Sequence, residues 1–411
     1  MRTALIFSEE YVKVTKGLFV VWMSHAREAA KARCVDILLN HEHWAFAEAV
    51  GASGGAAQVS VHRLPFGMPS TWLRRALPGR NRPFALRAIG YVLGQALDLA
   101  LSPLIIFVLY RRLRQISPAA VFSHSGGWPA GALCRWIIIA ARIAQVPTRI
   151  LIIHSHPMQD TNALSSALLA PFRFLRAWVI GWCATSIVAV SDSVRGALES
   201  EVFHRPVARI HNGIDPLVPE SVPGRRAGPL EWHPSGLVVG FVGALHPMKG
   251  AHVLLDAFRS VNLPCELALL GPAAGHPDYV GSLHQRAHLC ANRVSFLGFR
   301  DDVDGFMQRI DVLVVPAIAF ESFGMVILEA MKHKKPVICT DFGGMKEVVE
   351  DGVSGLVVTA GDALALSNAM VKLLTDGNAR HQMGEAGYRR LNSLFTSERM
   401  CEQYDSLIVD Q

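Results

Sequence analysis

The sequence has little of what marks a secreted, zinc-binding or disordered protein. Its seven cysteines are scattered, odd in number and without a C-x-x-C pair, which disfavours a disulfide framework and a structural zinc site. Charged residues make up only 18% of the chain and hydrophobic residues 51%, as in a globular protein. It has no low-complexity tract and no internal repeat. The apolar run before Glu9 and Glu10 is too short for a signal peptide, and a cytoplasmic location fits best.

Length and charge predict two domains with different surfaces. At 411 residues the chain is too long for one ordinary core. The net charge of +6 is unevenly spread, because residues 1–200 carry 21 basic and 10 acidic side chains, whereas residues 201–411 carry 19 and 24. A basic first half suits an anionic lipid surface, a nucleic acid or an acidic substrate. Since no recognised nucleic-acid-binding module accompanies the arginines, we expect no nucleic-acid partner.

Short apolar runs alternate with helical patterns along the chain. Many of the runs are continuous in Val, Ile, Leu and Ala, as in strands buried on both faces of a parallel sheet. They cover residues 3–7, 35–39, 58–62, 119–123, 149–154, 186–190, 207–211, 237–242, 266–270, 293–297, 311–315, 336–340 and 355–358. This alternation predicts an α/β protein with two Rossmann-like, doubly wound parallel-sheet domains that face a central cleft.

A stretch rich in proline and glycine, residues 213–236, separates the two groups of strands and is the predicted linker. The N-terminal domain then comprises residues 1–212 and the C-terminal domain residues 237–395. Residues 396–411 include a helical pattern at 397–409. In open parallel sheets ligands bind outside the carboxyl ends of the strands, so the side chains that follow strands are the candidates for function.

The most informative motif is E-S-F-G-M-V-I-L-E, which places Glu321 and Glu329 at the two ends of an apolar run. If a helix begins near Ser322, the two acids lie about 12 Å apart along its axis and about 80° apart around it. This separation is too large for the paired carboxylates of a glycosidase and suits a grip on both ends of an extended ligand. The amides of Phe323 and Gly324 at the helix start form a natural phosphate site. The alternative is a surface helix with two solvated acids.

Two glycine-containing turns also follow predicted strands. In the first, Gly243 opens a turn that carries Lys249 to the start of a helix, where its ammonium group can reach a diphosphate. In the second, residues 341–347, glycines permit a close approach of the backbone to a ligand. The alternatives are a surface lysine and a Glu347 that caps the next helix.

Several histidines and one glycine lie where a sugar or an acceptor would bind. His154 and His156 follow a strand, where an imidazole can bond a sugar hydroxyl or carry a proton. No third ligand accompanies the H-x-H pattern, so we expect no metal site. His124 follows another strand and either lines the same cleft or turns the chain. Gly17, after the first strand, is a candidate glycine loop on the acceptor side.

An apolar and basic segment lies between residues 72 and 114. Residues 72–87 hold five arginines interleaved with apolar side chains, and the largely apolar residues 88–110 are followed by three more arginines. This composition predicts a peripheral contact with an anionic membrane, at the inner face of the plasma membrane. A spanning helix is disfavoured because Asp98 near its centre costs about 2.5–3.5 kcal/mol. The alternative is ordinary packing helices with a solvated basic face.

The motifs of the second half occur in an order that resembles glycosyltransferase family 4. They read F-V-G-A-L-H-P-M-K-G, V-S-F-L-G-F, D-V-L-V-V-P, E-S-F-G-M-V-I-L-E-A-M and P-V-I-C-T-D-F-G-G-M-K-E-V-V-E-D-G-V-S-G-L-V-V. The resemblance covers about residues 181–395, with A-V-S-D-S-V-R and H-N-G-I-D, and is thin over residues 1–180. It implies the glycosyltransferase B fold and a retaining transfer from a UDP- or GDP-sugar to a saccharide or lipid-linked acceptor. It also implies that no metal or other cofactor is essential, and that the C-terminal helix in residues 396–411 returns to the N-terminal domain.

The resemblance assigns roles to individual residues. Glu321 lies beside the donor sugar, Glu329 bonds the ribose hydroxyls and Lys249 neutralises the diphosphate. His154 lies near the sugar and the reaction centre, and His156 is the fallback for that role. The implied catalytic residues are Glu321, His154 and Lys249. The other donor-binding positions are Gly243, Phe323, Gly324, Met325, Gly298 and Phe299, of which the last two hold the base.

Two positions depart from the family pattern. Ala244 stands where the family often has arginine, and Gly17 alone remains of a glycine pair. One diphosphate cation is therefore missing or is supplied by another residue such as Arg300. The expected activity is sugar transfer to a cell-envelope or polysaccharide acceptor that enters from the basic N-terminal domain. The alternatives are a nucleotide-sugar epimerase of the same fold and a non-catalytic nucleotide-sugar-binding protein.

Overall fold

The structure, a computed structural model, describes most of the chain. The described residues are 2–7, 34–39, 59–63, 84–128, 131–155, 174–199, 203, 206–217, 231–273, 275–300 and 302–408. Gly17, His156 and most of the segment 72–87 lie outside them.

The described strands form two sheets, and paired strands are parallel throughout both. The first contains β1 (Arg2–Phe7), β2 (Cys34–Leu39), β3 (Val59–Arg63), β4 (Ala120–Ser125), β5 (Thr148–Ile153), β6 (Ser186–Ala189) and β7 (Val207–Arg209). The second contains β8 (Leu237–Val242), β9 (Cys265–Leu270), β10 (Arg293–Gly298), β11 (Val312–Val315), β12 (Val337–Thr340) and β13 (Gly355–Val358). These bounds agree with the predicted strands to within two residues, and the predicted fold class is confirmed.

Each sheet reverses its strand order once. The orders are β3-β2-β1-β4-β5-β6-β7 and β10-β9-β8-β11-β12-β13. The reversals lie between β1 and β4 and between β8 and β11. Because the connections on the two sides of such a point leave in opposite directions, a crevice opens at the carboxyl ends of the two strands. The loops after β8 and β11 therefore mark the first place to look for a site in the C-terminal domain.

The central strands are covered on both faces. Every residue of β4, β5, β11 and β12 is buried. Burial on both faces explains why these strands are mostly apolar, with polar residues at their ends, as in the Ser-His-Ser that ends β4 and the Thr-Arg that begins β5.

Helices connect the strands and cover the sheets. Their bounds are α1 (Phe84–Ile116), α2 (Ala132–Ile143), α3 (174–183), α4 (Asp192–Glu199), α5 (Ala251–Phe258), α6 (Pro277–His288), α7 (Val303–Arg309), α8 (Met325–Lys332), α9 (Met345–Val348), α10 (Ala363–Thr375), α11 (Gly377–Leu394) and α12 (Ser397–Asp405). The apolar segment 88–110 lies within α1, which continues through Pro103. None of the helices among the described residues combines the length and the apolar character that crossing a membrane requires.

The last helix, α12, packs on the domain of the first sheet. Thr396 forms a parallel bridge with Ile214, which follows the last strand of that sheet. Tyr404 is completely buried, and the centroid of its ring lies 6.0 Å from that of Phe122 in an edge-to-face contact. The chain thus passes from the first domain to the second and returns, while the exact boundaries at 212 and 236 stay a prediction.

Candidate active site

The loops after β8 and β11 bring Lys249 and Glu321 together at the crevice of the second sheet. The ammonium group of Lys249 donates a hydrogen bond to the Glu321 carboxylate and forms an ion pair with it. Both side chains retain partial exposure, 41% for Lys249 and 22% for Glu321. They border a pocket whose lining residues are Ala244, His246, Met248, Lys249, Ala319, Phe320 and Glu321. Lys249 and Glu321, which the sequence analysis identified separately, are therefore in direct contact.

Gly250 allows the two loops to approach each other. Its φ of +72° is left-handed, and a Cβ atom there would lie 1.8 Å from the carbonyl oxygen of Pro316. The amide of Ile318 donates to the carbonyl of Met248 at 3.1 Å, which ties the loops together beside the ion pair. Only glycine combines this dihedral angle with this contact, so Gly250 fixes where Lys249 points.

A second glycine pair holds the Glu321 segment. Glu321 forms an isolated parallel bridge with Gly343, and the amide of Gly344 donates to the Glu321 carbonyl at 2.8 Å. A Cβ atom on Gly343 would lie 2.1 Å from that carbonyl oxygen, and one on Gly344 would lie 2.2 Å from the carbonyl oxygen of Ser322. These glycines bring residues 343 and 344 close to the backbone that carries Glu321. The predicted close approach of residues 341–347 to a ligand stays a prediction.

The predicted geometry of the two acids is wrong, because the helix begins later than expected. Gly324 has a left-handed φ of +85° and precedes α8, whose first residue is Met325. Glu321 lies before the helix in extended backbone, so the estimates of about 12 Å and 80° along one helix do not apply to it. Glu329 lies inside α8 and is 8% exposed.

The start of α8 keeps the features of a phosphate site. Gly324 has no side chain to cap the helix, and α5 likewise begins after an uncapped Gly250. The first amides of a helix have no intrahelical acceptor and lie at the positive end of the helix dipole. The side chain of Phe323 is 2% exposed, and its ring packs against the rings of His211 and Phe395. The donation of N–H groups by Phe323, Gly324 and Met325 to a ligand stays a prediction.

The remaining donor-binding candidates lie along the carboxyl edge of the second sheet. Gly243 follows β8, and its amide donates to the carbonyl of Leu270 at 2.9 Å. Gly298 ends β10 with a φ of +66°, and its carbonyl accepts the amide of Gly271 at 2.8 Å. Phe299 is 40% exposed. The glycines shape this edge, and the role of Gly298 and Phe299 in holding a base stays a prediction.

His154 forms a buried pair with His124. The Nε2 atom of His154 lies 2.9 Å from the Nδ1 atom of His124, and the two residues are 9% and 0% exposed. Burial lowers the pKa of His154 to about 3, so its imidazole is neutral at physiological pH. His124, predicted as a possible acceptor-side residue, supports His154 from within the domain and has no exposed surface of its own.

Sequence reasoning missed the contact that Glu347 makes across the two domains. Its carboxylate accepts hydrogen bonds from the amides of Asp192 at 2.7 Å and Ser193 at 2.8 Å, at the start of α4. His211 Nε2 lies 3.2 Å from the same carboxylate. Burial raises the pKa of Glu347, but the hydrogen bonds from His211, Asp192 and Ser193 outweigh burial and hold that pKa at about 2. Glu347 was predicted either to line a ligand loop or to cap the next helix, and the helix that it caps belongs to the other domain.

A second polar contact crosses the same boundary. The hydroxyl of Ser191 donates to the carbonyl of Ser322, one residue after Glu321, at 2.7 Å. The Glu321 loop therefore contacts both its own sheet and the first domain.

The sequence of the C-terminal domain, which carries Lys249 and Glu321, matches a known family. Residues 229–390 match the family described as Glycosyl transferases group 1. The match assigns the domain of residues 229–390 to the group 1 glycosyl transferases. The matched region includes Lys249, Glu321 and Glu329, and it excludes His124 and His154.

Known relatives match part of this chain. A phosphatidyl-myo-inositol mannosyltransferase of Mycobacterium leprae is 33% identical over 55% of this chain and 59% of its own. A D-inositol 3-phosphate glycosyltransferase of Corynebacterium urealyticum is 33% identical over 42% of this chain and 44% of its own. The chain thus spans about half the length of these curated relatives.

A solved structure resembles this chain over nearly its whole length. HepE of Anabaena, in complex with UDP and glucose, superposes with a TM-score of 0.69 at 24% identity and covers 99% of this chain and 98% of that one. At this identity the likeness supports the fold alone, the glycosyltransferase B arrangement of two parallel-sheet domains.

Proposed function

We propose that this protein transfers a sugar from a nucleotide-sugar donor to a cell-envelope or polysaccharide acceptor. The observation that carries the proposal is the contact between Lys249 and Glu321 at the crevice of the second sheet. A cation at this place, beside a carboxylate and close to the uncapped start of a helix, suits a ligand that joins a diphosphate to a polyhydroxyl group.

In the proposed reaction the C–O bond between the sugar and the diphosphate breaks, and negative charge grows on the leaving oxygen. Lys249 and the first amides of α8 stabilise that charge. Preorganised cations and amides act most strongly where water is excluded, and closure of the domains on the donor excludes it. No metal is needed for this step, because the protein supplies the positive charge.

Glu321 orients the donor sugar while it keeps Lys249 in place. Donor binding transfers part of the hydrogen bonding of Lys249 from Glu321 to the diphosphate. Glu329 bonds the ribose, and the neutral imidazole of His154 bonds a hydroxyl of the sugar from the side of the first domain. Held between these groups, the anomeric carbon forms a new C–O bond to the acceptor hydroxyl on the face that the diphosphate leaves, so configuration is retained. The hydroxyl proton passes to the leaving diphosphate oxygen.

We infer that the acceptor is lipid-linked and is reached at an anionic membrane surface inside the cell. Two observations support this: the basic first half of the chain, and a relative whose name includes a phosphatidyl-inositol acceptor. UDP- and GDP-sugars are the donors to test first, and UDP has priority because HepE was solved with it.

The test is a screen of UDP- and GDP-sugars for thermal stabilisation of the full chain, followed by incubation of each binder with lipid extracts. Mass spectrometry identifies the glycosylated product, and NMR spectroscopy gives its anomeric configuration. Turnover that survives a chelator supports the metal-free step. Conversion of the donor without an acceptor would instead identify an epimerase, and donor binding with no product from any extract would identify a non-catalytic binding protein.

A further inference from the structure

The helix α3, in the first domain, exposes large apolar side chains along one face. Phe174, Trp178 and Trp182 follow one another at intervals of four residues and are 51%, 39% and 55% exposed, and Leu175 beside them is 56% exposed. Residues four apart lie on the same side of a helix. Two tryptophans and a phenylalanine in one exposed row are unusual on a surface that only meets water.

Neighbouring helices extend this apolar surface. The helices α1, α2 and α3 precede β4, β5 and β6, which are added to the sheet in the same direction, so right-handed crossovers place all three on one side of it. In α1, Leu104 and Phe107 are 61% and 53% exposed, and Ile143 at the end of α2 is 56% exposed. The guanidinium of Arg142 lies 4.9 Å from the ring of Trp182 and joins the ends of α2 and α3.

The charges along this part of the chain are mostly positive. Between residues 99 and 191 the sequence contains eight arginines, no lysine and a single acidic residue, Asp160. Three of these arginines, Arg111, Arg114 and Arg142, are exposed on α1 and at the end of α2. Exposed aromatic side chains combined with arginines match the interface of an anionic bilayer, where rings lie among headgroups and guanidinium groups contact phosphates.

We propose that the exposed residues of α1, α2 and α3, here called the aromatic face, are the surface on which the protein lies on an anionic membrane. The inference rests on the proposed function, because it brings the first domain to a membrane-borne acceptor. A second copy of the chain is a poorer occupant, since a symmetric contact would place the arginines of both copies against each other.

The experiment is co-sedimentation of the full chain with vesicles of phosphatidylglycerol and phosphatidylcholine, compared with vesicles of phosphatidylcholine alone. We expect binding to the anionic vesicles that weakens with added salt. The variant F174S/W182S removes two exposed rings and should lower the binding constant about tenfold. The variant R111Q/R114Q should lower binding to the anionic vesicles and reduce its salt dependence. The control L289S/L364S removes two side chains that are 62% and 71% exposed in the other domain, and should bind as the unchanged protein does.

Donor binding, measured on the same variants by thermal shift with the nucleotide sugar, separates this inference from the proposed function. Vesicle binding that is lost in F174S/W182S while donor binding persists supports the aromatic face. If no nucleotide sugar binds but vesicle binding still requires the two rings, the inference stands and the proposed function fails. Equal vesicle binding by F174S/W182S and the unchanged protein would overturn the inference. The inference would also be overturned if light scattering found that the unchanged protein is a dimer and that F174S/W182S alone among the variants is not.

Discussion

Lys249 and Glu321 illustrate how much a single residue depends on its neighbours. Neither belongs to a helix that would fix its direction, since Lys249 ends a 3₁₀ turn and Glu321 lies in a loop bridge. Their positions depend on glycines that permit backbone contacts shorter than any side chain would allow. A change at Glu321 therefore tests its role in the reaction, whereas a change at one of the glycines tests how the loops are positioned.

Replacing Glu321 with Gln should lower sugar transfer about a hundredfold or more, because the amide keeps the shape but neither holds Lys249 by charge nor supports charge in the transition state. Steady-state turnover with the identified donor measures the loss. The control is Glu385→Gln, which removes the acid of another lysine–glutamate pair, Lys334 with Glu385. Turnover by Glu321→Gln equal to that of the control would contradict the assignment.

Replacing Gly250 with Ala should destabilise the protein by more than the roughly 1–2 kcal/mol that a left-handed alanine costs. The added Cβ atom meets the carbonyl of Pro316 and must push apart the loops that carry Lys249 and Glu321. Gly352→Ala is the matched control, because Gly352 has a φ of +73° with no atom within 4 Å of its Cβ position. Urea denaturation of both variants gives the comparison, and equal losses would show that the Pro316 contact is unimportant.

At the level of elements, α8 shows which features the sequence could predict. The strands were found because continuous apolar runs are typical of sheets covered on both faces. The start of α8 was misplaced because Gly324 occurs within an apolar, helix-compatible run, and its left-handed φ of +85° is not visible in that pattern. The Glu347 contact was missed because it joins residues 155 positions apart in sequence. No local pattern carries that information.

Glu347 caps α4 from the other domain, and this contact makes a prediction for the element. Glu347→Gln should lower the free energy of unfolding by about 1–2 kcal/mol, because the amides of Asp192 and Ser193 lose an anionic acceptor at the positive end of the helix. Thermal or urea denaturation measures the change. Glu350→Gln is the control, since Glu350 is 54% exposed and pairs with Arg390 at the surface. A loss in Glu347→Gln no larger than in the control would contradict the capping role.

For the whole molecule, buried titratable groups predict sensitivity to acid. The pKa of His154 falls from 6.5 to about 3 on folding, so below pH 6.5 the unfolded chain binds a proton that the native protein does not. Stability should therefore decline between about pH 6.5 and pH 3. Below about pH 4.5 the depressed pKa of Glu347 adds a second loss, because its carboxylate binds a proton in the unfolded chain but stays ionised in the native protein down to about pH 2.

Urea denaturation at pH 7.5, 6.5 and 5.5 tests the first of these losses, which arises from His154. The variant His154→Asn should be less stable at pH 7.5 but should show a shallower decline towards pH 5.5. Parallel declines in the variant and the unchanged protein would assign the acid sensitivity to other groups.

The return of α12 to the first domain also sets an order of events during synthesis. Domains generally fold as units, with the N-terminal one first while the ribosome continues along the message. Here the ring of Tyr404, in α12, packs edge-on against Phe122 and His124 of the first domain. The first domain therefore leaves the ribosome with one side of its histidine pair uncovered. It is completed only after the whole second domain has been synthesised.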